Sequence, residues 1–415
     1  MTYVVRYGDT LTLIARRFGL TVQDLVRVNP GIHLHQLQVG QVIQLPTGRV
    51  HGRTSPSLRP AQQQYTVQPG DTMWSIAQRF GVDLGELIRA NPQLDPTNLQ
   101  VGQVVNIPQT PTPAPAQGIV RTDIPYDYDV MQEDLQRLRQ QYPFLQVSSI
   151  GSSVLGRDLT MIRLGQGPRE YHYNGSHHAR EWITTPLLMK FIEEYARAYQ
   201  SGGSLAGHNV RELYNAASIY IVPMVNPDGV DIVINGVGPD NPFRSQLIQW
   251  NGGSTNFTMW KANIRGVDLN RQYQANWELA RQQGPPGPAP EDYAGPAPES
   301  EPESRAIANL TRSHDFRLVL AYHTRGEVIY WNYLGLAPPE SRQIVQQFQR
   351  LSGYTPLDEP GEYSSNAGYK DWFILAYRRP GFTIEVARGE NPSPLWQLPE
   401  IWNDNVGILM YAATV

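Results

Sequence analysis

The chain opens with the same unit written twice. Residues 3–46 align without a gap on residues 65–108, with roughly half of the positions identical. Tyr-x-Val-x-x-Gly-Asp-Thr runs from Tyr3 to Thr10 and again from Tyr65 to Thr72. Ile-Ala-x-Arg-Phe-Gly recurs at 14–19 and 76–81, Asn-Pro at Asn29-Pro30 and Asn91-Pro92, and Leu-Gln-Val-Gly-Gln-Val at 37–42 and 99–104. A unit this short must bury one compact core, and its turn signals say how. A first strand ends at Gly70, and Asp71 is a natural N-cap. Ile76, Ala77 and Phe80 share one helical face, and Gly81 stops the helix. Asp83 opens a second helix with Leu84, Leu87 and Ile88 inward, and Val104–Ile107 is a closing strand able to pair with the first. Each repeat is therefore predicted to be a small βααβ domain.

The composition changes twice after that. The stretches 50–64 and 109–117 are rich in Pro, Gln and Ser, cannot bury a core and read as semi-rigid spacers. The predicted organisation is a repeat domain over 1–48, a linker over 49–64, a second repeat over 65–108, a linker over 109–118 and one large domain over 119–415. In the large domain, strand candidates stand at Leu159–Leu164, Tyr171–Asn174, Ile219–Val225, Phe316–His323 and Phe382–Ala387. Helical stretches stand at Val130–Gln141, about 184–200, 301–314, 340–352 and 399–412, and this alternation predicts an α/β domain with a sheet covered on both faces.

Several classes of function are excluded or disfavoured. The net charge of −4 over 415 residues makes nucleic acid an unfavourable partner, and no apolar run is long enough for a membrane span. With no cysteine, disulfides and thiolate metal sites are impossible, so any zinc must be held by His and carboxylate. Met1–Val5 runs directly into folded-looking sequence without the charged and apolar segments of a secretory signal, so ordinary signal-directed export is not expected. Lysine is confined to Lys190, Lys261 and Lys370, and two of these fall in segments that matter for the site.

The chemistry concentrates around Asn174–Trp182. His178 and Glu181 are three residues apart, and on a tight strand-to-helix turn both side chains can converge on one metal ion. His323 ends the apolar run Leu318–Tyr322 and offers a third ligand of the same kind. Two His and one Glu, with a fourth position left to water, form the ligand set of a hydrolytic zinc site. His323 and Glu385 lie at strand ends and His178 at a strand-to-helix turn, where open α/β sheets place their sites.

With these residues in view, two resemblances can be stated. The repeats resemble the LysM module, which implies binding to N-acetylglucosamine-containing glycans. Its usual groove would correspond to the loops around Gly8, Asp9 and Thr10 with Asn29 and Pro30, and around Gly70, Asp71 and Thr72 with Asn91 and Pro92. The large domain resembles the zinc carboxypeptidase family along its whole length. His178-Ala-Arg-Glu181-Trp and Ala321-Tyr-His323-Thr match the segments that carry that family's zinc ligands, and Thr383-Ile-Glu385 matches the segment that carries its general base. The resemblance implies one Zn2+ per chain on His178, Glu181 and His323, and a hydrogen bond from His178 to Asp268. It further implies that Asn270 and Arg271 grip the carboxylate of the residue after the scissile bond, with Arg180 completing that wall. Tyr363 takes the place of the family's mobile tyrosine, eight residues before Asp371-Trp372. The sequence departs from the family where a cation for the oxyanion belongs: Lys261 directly follows Trp260 and Arg265 lies four residues on. Either could serve, and the planar fork favours Arg265.

LysM units joined to such a peptidase, together with Trp260–Arg271 and Ser300-Glu-Pro-Glu303, resemble the γ-D-glutamyl-L-diamino-acid endopeptidase branch of the family. The expected function is a peptidoglycan hydrolase at the cell wall or otherwise outside the membrane, with spore or cytoplasm as alternatives because no export signal is seen. Lys370 and Glu362 are then placed to read the carboxylate and the ammonium of the diamino acid, unless Lys370 points to solvent. The alternative is a carboxypeptidase trimming ordinary peptides. The Pro-rich insert 284–298 is expected to be a rim loop of the cleft.

Overall fold

The computed structural model describes residues 118–358 and 366–415 and, in the N-terminal part, 2–4, 29, 42–44, 63–67, 76, 87, 90, 91, 94 and 99–107. The chain separates into two compact units, 1–62 and 63–415. In the first unit Thr2–Val4 pairs antiparallel with Val42–Gln44. The corresponding segments of the second repeat, Gln63–Thr66 and Val104–Ile107, pair in the same way. Ile76 and Leu87 are helical and buried against Val67, Val105 and Ile107, so the described parts of the second repeat follow the expected βααβ pattern.

The Asn of the repeated Asn-Pro pair acts differently from the glycan contact expected of it. The Asn91 amide donates to the Asn106 and Leu87 carbonyls at 2.8 Å and accepts from the Asn106 N–H at 2.7 Å. It is fully buried, so its polar atoms are used within the fold and have none to offer a sugar. Asn29 pairs with the Gln44 backbone in the same two-way fashion, at 2.9 and 2.7 Å. Each Asn extends the two-stranded sheet by one rung. Gly8, Asp9, Thr10, Pro30, Gly70, Asp71, Thr72 and Pro92 lie outside the described residues.

The large domain is built on a mixed eight-stranded sheet. In chain order its strands are β1 (Gln146–Ser152), β2 (Asp158–Gly165), β3 (Arg169–Gly175), β4 (Ala217–Val222), β5 (Phe316–Thr324), β6 (Val328–Tyr330), β7 (Thr355–Leu357) and β8 (Gly381–Val386). The spatial order is β7-β6-β8-β5-β3-β4-β2-β1. The central strands β8, β5, β3 and β4 are parallel, and β2, β1 and β6 join antiparallel to their inner neighbours. Successive residues of β5 enter different cores. Leu318, Leu320 and Tyr322 pack with the helices Thr184–Ser201 and Leu398–Ala412, whereas Val319 and Ala321 pack with Pro302–Arg312 and Tyr369–Tyr377. A strand buried on both faces reads as a continuous apolar run, which is how β5 is written.

The five expected strands and five expected helices are all present, with ends shifted by a few residues. The edge strands β1 and β7, the strand β6 beside β7, and the helices Pro227–Asn235 and Tyr369–Tyr377 are additions. β1 is mostly exposed and polar, so it carries no alternating pattern. The helix Tyr369–Tyr377 is buried through its first two turns and has no polar face there to give a helical period.

The Ser300-Glu-Pro-Glu303 motif ties this layer to the loop over 261–271. Gln272 accepts from the Ser300 hydroxyl and the Glu301 N–H, both at 3.1 Å, and the Asn263 amide donates to Glu301 at 2.8 Å. Glu303 is fully buried and accepts from the Val154 N–H at 3.1 Å. Burial, reinforced by Asp228 and Glu301, pushes its carboxyl up to about 7. The unfolded chain releases this proton near pH 4.5 and the folded one near 7, so the stability this group leaves intact below 4.5 is lost as pH rises from 4.5 through about 7 and changes no further above that. Glu303→Gln keeps an acceptor for Val154 and should gain on the wild type by roughly 2–4 kcal/mol between pH 4.5 and 8. Thermal or urea unfolding of both proteins at several pH values measures this, and a pH-independent difference would sink it.

Candidate metal centre

β3 ends at Gly175 and the chain turns sharply. Ser176 adopts φ +51°, His178 is extended, and Ala179–Glu181 form one 3-10 turn before the helix Thr184–Ser201 begins. That turn brings His178 and Glu181 side by side. On the neighbouring strand β5 stands His323, and β5 pairs in turn with β8 so that His323 is in register with Glu385. Asn226 locks the turn in place, its amide donating to the His177 carbonyl at 3.2 Å and the Ala262 carbonyl at 3.1 Å.

His178, Glu181 and His323 are buried, and they are the group among the described residues whose donor atoms gather closely enough to hold a metal ion. His178 Nδ1 lies 2.9 Å from Glu181 Oε1, His323 Nδ1 lies 2.9 Å from Glu181 Oε2, and the two Nδ1 atoms are 3.2 Å apart. Ligands about 2.05 Å from a tetrahedral zinc stand about 3.3 Å from one another. The donor set and its spacing therefore fit zinc. Asp268 accepts from His178 Nε2 at 3.0 Å, which leaves the Nδ1 lone pair facing the other two donors. Burial would lower the His178 pKa, but the carboxylates of Glu181 and Asp268 raise it to about 9.

Asp268 is the hub behind the ligands. It accepts from His178, from the Asn270 N–H at 3.0 Å and from Lys261 Nζ at 2.9 Å. Burial opposes its ionisation, yet Lys261, His178 and Arg271 hold its carboxyl well below the usual range. Lys261 is the cation the fold brings here, since its charge acts on His178, His323 and Glu385. Arg265, favoured for its fork, is half exposed and ion-paired to Glu301 at 3.6 Å. Its backbone leaves the site because the Asn263 side chain caps the turn, accepting from the Arg265 and Val267 N–H groups.

Glu385 extends from β8 beside His323. Burial, reinforced by the Glu181 charge and only partly opposed by His178 and Lys261, pushes its carboxyl up to about 8. Asn270 is fixed by a hydrogen bond from the Tyr369 N–H to its side-chain oxygen at 3.0 Å. Arg271 Nε lies 3.1 Å from Asp292 Oδ1, and Arg180 donates to the Met259 carbonyl and pairs with Glu291, each at 3.0 Å. Lys370 is buried rather than directed to solvent, with Nζ 2.8 Å from both the Asn332 carbonyl and Asp371 Oδ1. Glu362 and Tyr363 lie outside the described residues. The role of the insert 284–298 was not legible in the sequence, because a Pro-rich stretch carries no periodicity to show that Glu291 and Asp292 face the cations.

Comparison with known proteins agrees with this geometry. Residues 131–407 match the zinc carboxypeptidase family, and residues 3–46 and 65–108 each match the LysM domain. The chain is 42% identical over 390 residues to Gamma-D-glutamyl-L-diamino acid endopeptidase 1 of Lysinibacillus sphaericus, covering 83% of this chain and 98% of that one. It is 39% identical to the uncharacterized protein YqgT of Bacillus subtilis, over 69% of this chain and 77% of the other. Among solved structures, bovine thrombin-activatable fibrinolysis inhibitor superposes with a TM-score of 0.53 at 20% identity, covering 70% of this chain and 96% of that one. Carboxypeptidase A from Helicoverpa armigera gives a TM-score of 0.51 at 20% identity, covering 71% of this chain and 75% of that one. At such identities these two show a shared fold. With its matched ligand segments on a sheet of that fold, the chain belongs to the zinc carboxypeptidase family, a family of zinc-dependent hydrolases of peptide bonds, and carries two LysM domains ahead of its peptidase domain.

Proposed function

We propose that this zinc peptidase cuts the bond between γ-D-glutamate and the diamino acid of peptidoglycan stem peptides, while its LysM domains hold the glycan. The observation that carries the reading is the 42% identity, over nearly the whole of the other chain, to a protein named for that cleavage. The joining of two LysM domains to the peptidase on one chain supports it. Such a protein works at the cell wall. Among the described residues no helix is long and apolar enough to cross a membrane.

The residues divide the work. Zinc on His178, Glu181 and His323 would polarise the scissile carbonyl and acidify a water. Glu385, in register with His323, takes the proton of the attacking water and passes it to the leaving amine. Asp268 holds the His178 ring and its tautomer. Lys261 supplies positive potential where negative charge develops. Arg271 and Asn270 orient the diamino acid, and Lys370 sets the charge at the end of its side chain.

The direct test is mass spectrometry of muropeptides digested by the whole protein, with and without a chelator. New diamino-acid amino termini, lost on chelation, are expected. Release of C-terminal residues alone would instead favour the carboxypeptidase alternative.

A further inference from the structure

The Pro-rich insert is strapped along the loop that carries Asp268. Ala289 N–H donates to the Gly266 carbonyl at 3.0 Å, the Pro290 carbonyl accepts from Lys261 and Ala262 at 3.0 and 2.9 Å, and the Tyr293 carbonyl accepts from Asp268 at 2.8 Å. Gly266, at φ +70°, leaves no room for a side chain, because a Cβ there would stand 2.9 Å from Pro288. The strap is thus seated closely enough to aim individual side chains.

What it aims are two acids. Glu291 pairs with Arg180 at 3.0 Å. Asp292, held at φ +65° where a non-glycine residue is strained, accepts from Lys261 Nζ at 3.0 Å and from Arg271 Nε at 3.1 Å. Three cations ring this wall, and Asp268, Glu291 and Asp292 bring three carboxylates to them. Arg271 keeps its outer edge, since Nη1 and Nη2 have no partner among the described residues, while its Nε edge is occupied. An arginine offers a carboxylate either edge for a two-point bond, and Asp292 has taken one.

We propose that Asp292 is a specificity-determining positioning residue: a resident carboxylate that limits how strongly the site holds a free α-carboxylate on the residue after the scissile bond. This inference rests on the placement of Arg271 in the proposed function. Its consequence is tolerance. A diamino acid whose α-carboxyl is free and one whose α-carboxyl continues into a further peptide bond are accepted on similar terms, as an endopeptidase requires.

The test compares each acid with its α-amide, using L-Ala-γ-D-Glu-diaminopimelate and, separately, an N-acylated dipeptide, on the zinc-loaded full chain. In Asp292→Asn, KM for the acid should fall by about 10-fold relative to the amide, because a like charge beside the bound carboxylate is gone, with kcat little changed. Asp292→Glu should restore the wild-type ratio. An unchanged ratio, an acid that binds more weakly, or an equal loss on acid and amide would each overturn the proposal. Cleavage of the dipeptide but not of the stem peptide would reject the substrate assignment while leaving the acid-to-amide ratio measurable.

Discussion

Glu385→Gln is expected to lower kcat by about 10²–10⁴-fold, or about 3–5 kcal/mol, while zinc content and substrate binding persist. Glutamine keeps the volume and polarity of the side chain and removes its basicity, so the loss should fall on turnover rather than on KM. The structure says why this carboxylate matters. It stands on β8 in register with His323, and burial together with Glu181 raises it to about 8. Among the described residues nothing donates a hydrogen bond to it. A structural carboxylate in such a place would be paired. Steady-state kinetics on the stem tripeptide, with zinc measured on the same samples, checks this. Turnover within about tenfold of the wild type would mean that another group takes the proton.

His323→Ala should cost at least about 10²-fold in zinc affinity, beyond the 10–100-fold range expected for losing a partner of a ligand. Asp268→Asn should fall within that range, because it leaves the three donors and removes the group that orients His178. The order of the two losses is the informative result. His323 contributes an Nδ1 that faces His178 Nδ1 at 3.2 Å and Glu181 at 2.9 Å. Zinc competition with a chromogenic chelator measures both variants. Full zinc occupancy in His323→Ala would remove that residue from the ligand set.

The ligands were legible because each is tied to a local pattern. His178 and Glu181 need only a turn, and His323 ends an apolar strand, so their types and spacing already point to one metal. The two repeats were legible for a related reason. A duplicated unit shows which positions are kept through the turns, caps and inward faces of its own core. Val104–Ile107 closes the second repeat as its own pattern predicts.

The Asn-Pro pair shows the opposite case. An Asn in a loop signals polarity but not direction, and only the fold turns Asn91 inward onto the backbone of Asn106. Lysine 261 and Arg265 raise the same problem. Four residues apart, they differ in the sequence mainly by donor geometry. The Asn263 cap and the Glu301 partner send Arg265 outward, and the Asp268 carboxylate draws Lys261 in.

The sequence by itself determined the two repeats, the α/β character of the large domain and the types of the zinc donors, since each is written in a local pattern even where, as with His323 and His178, the positions stand far apart in the chain. Tertiary structure alone decided which charges meet. Asp292 lies 24 residues from Asp268 and 31 from Lys261, yet accepts from Lys261 at 3.0 Å, and its backbone N–H donates to Asp268 at 3.3 Å. No periodicity links those positions. The Pro290 and Tyr293 carbonyls bring them together by bonding the insert to the 261–268 loop. Electrostatic partnership depends on distance in space, so it becomes visible only once those backbone bonds are in place.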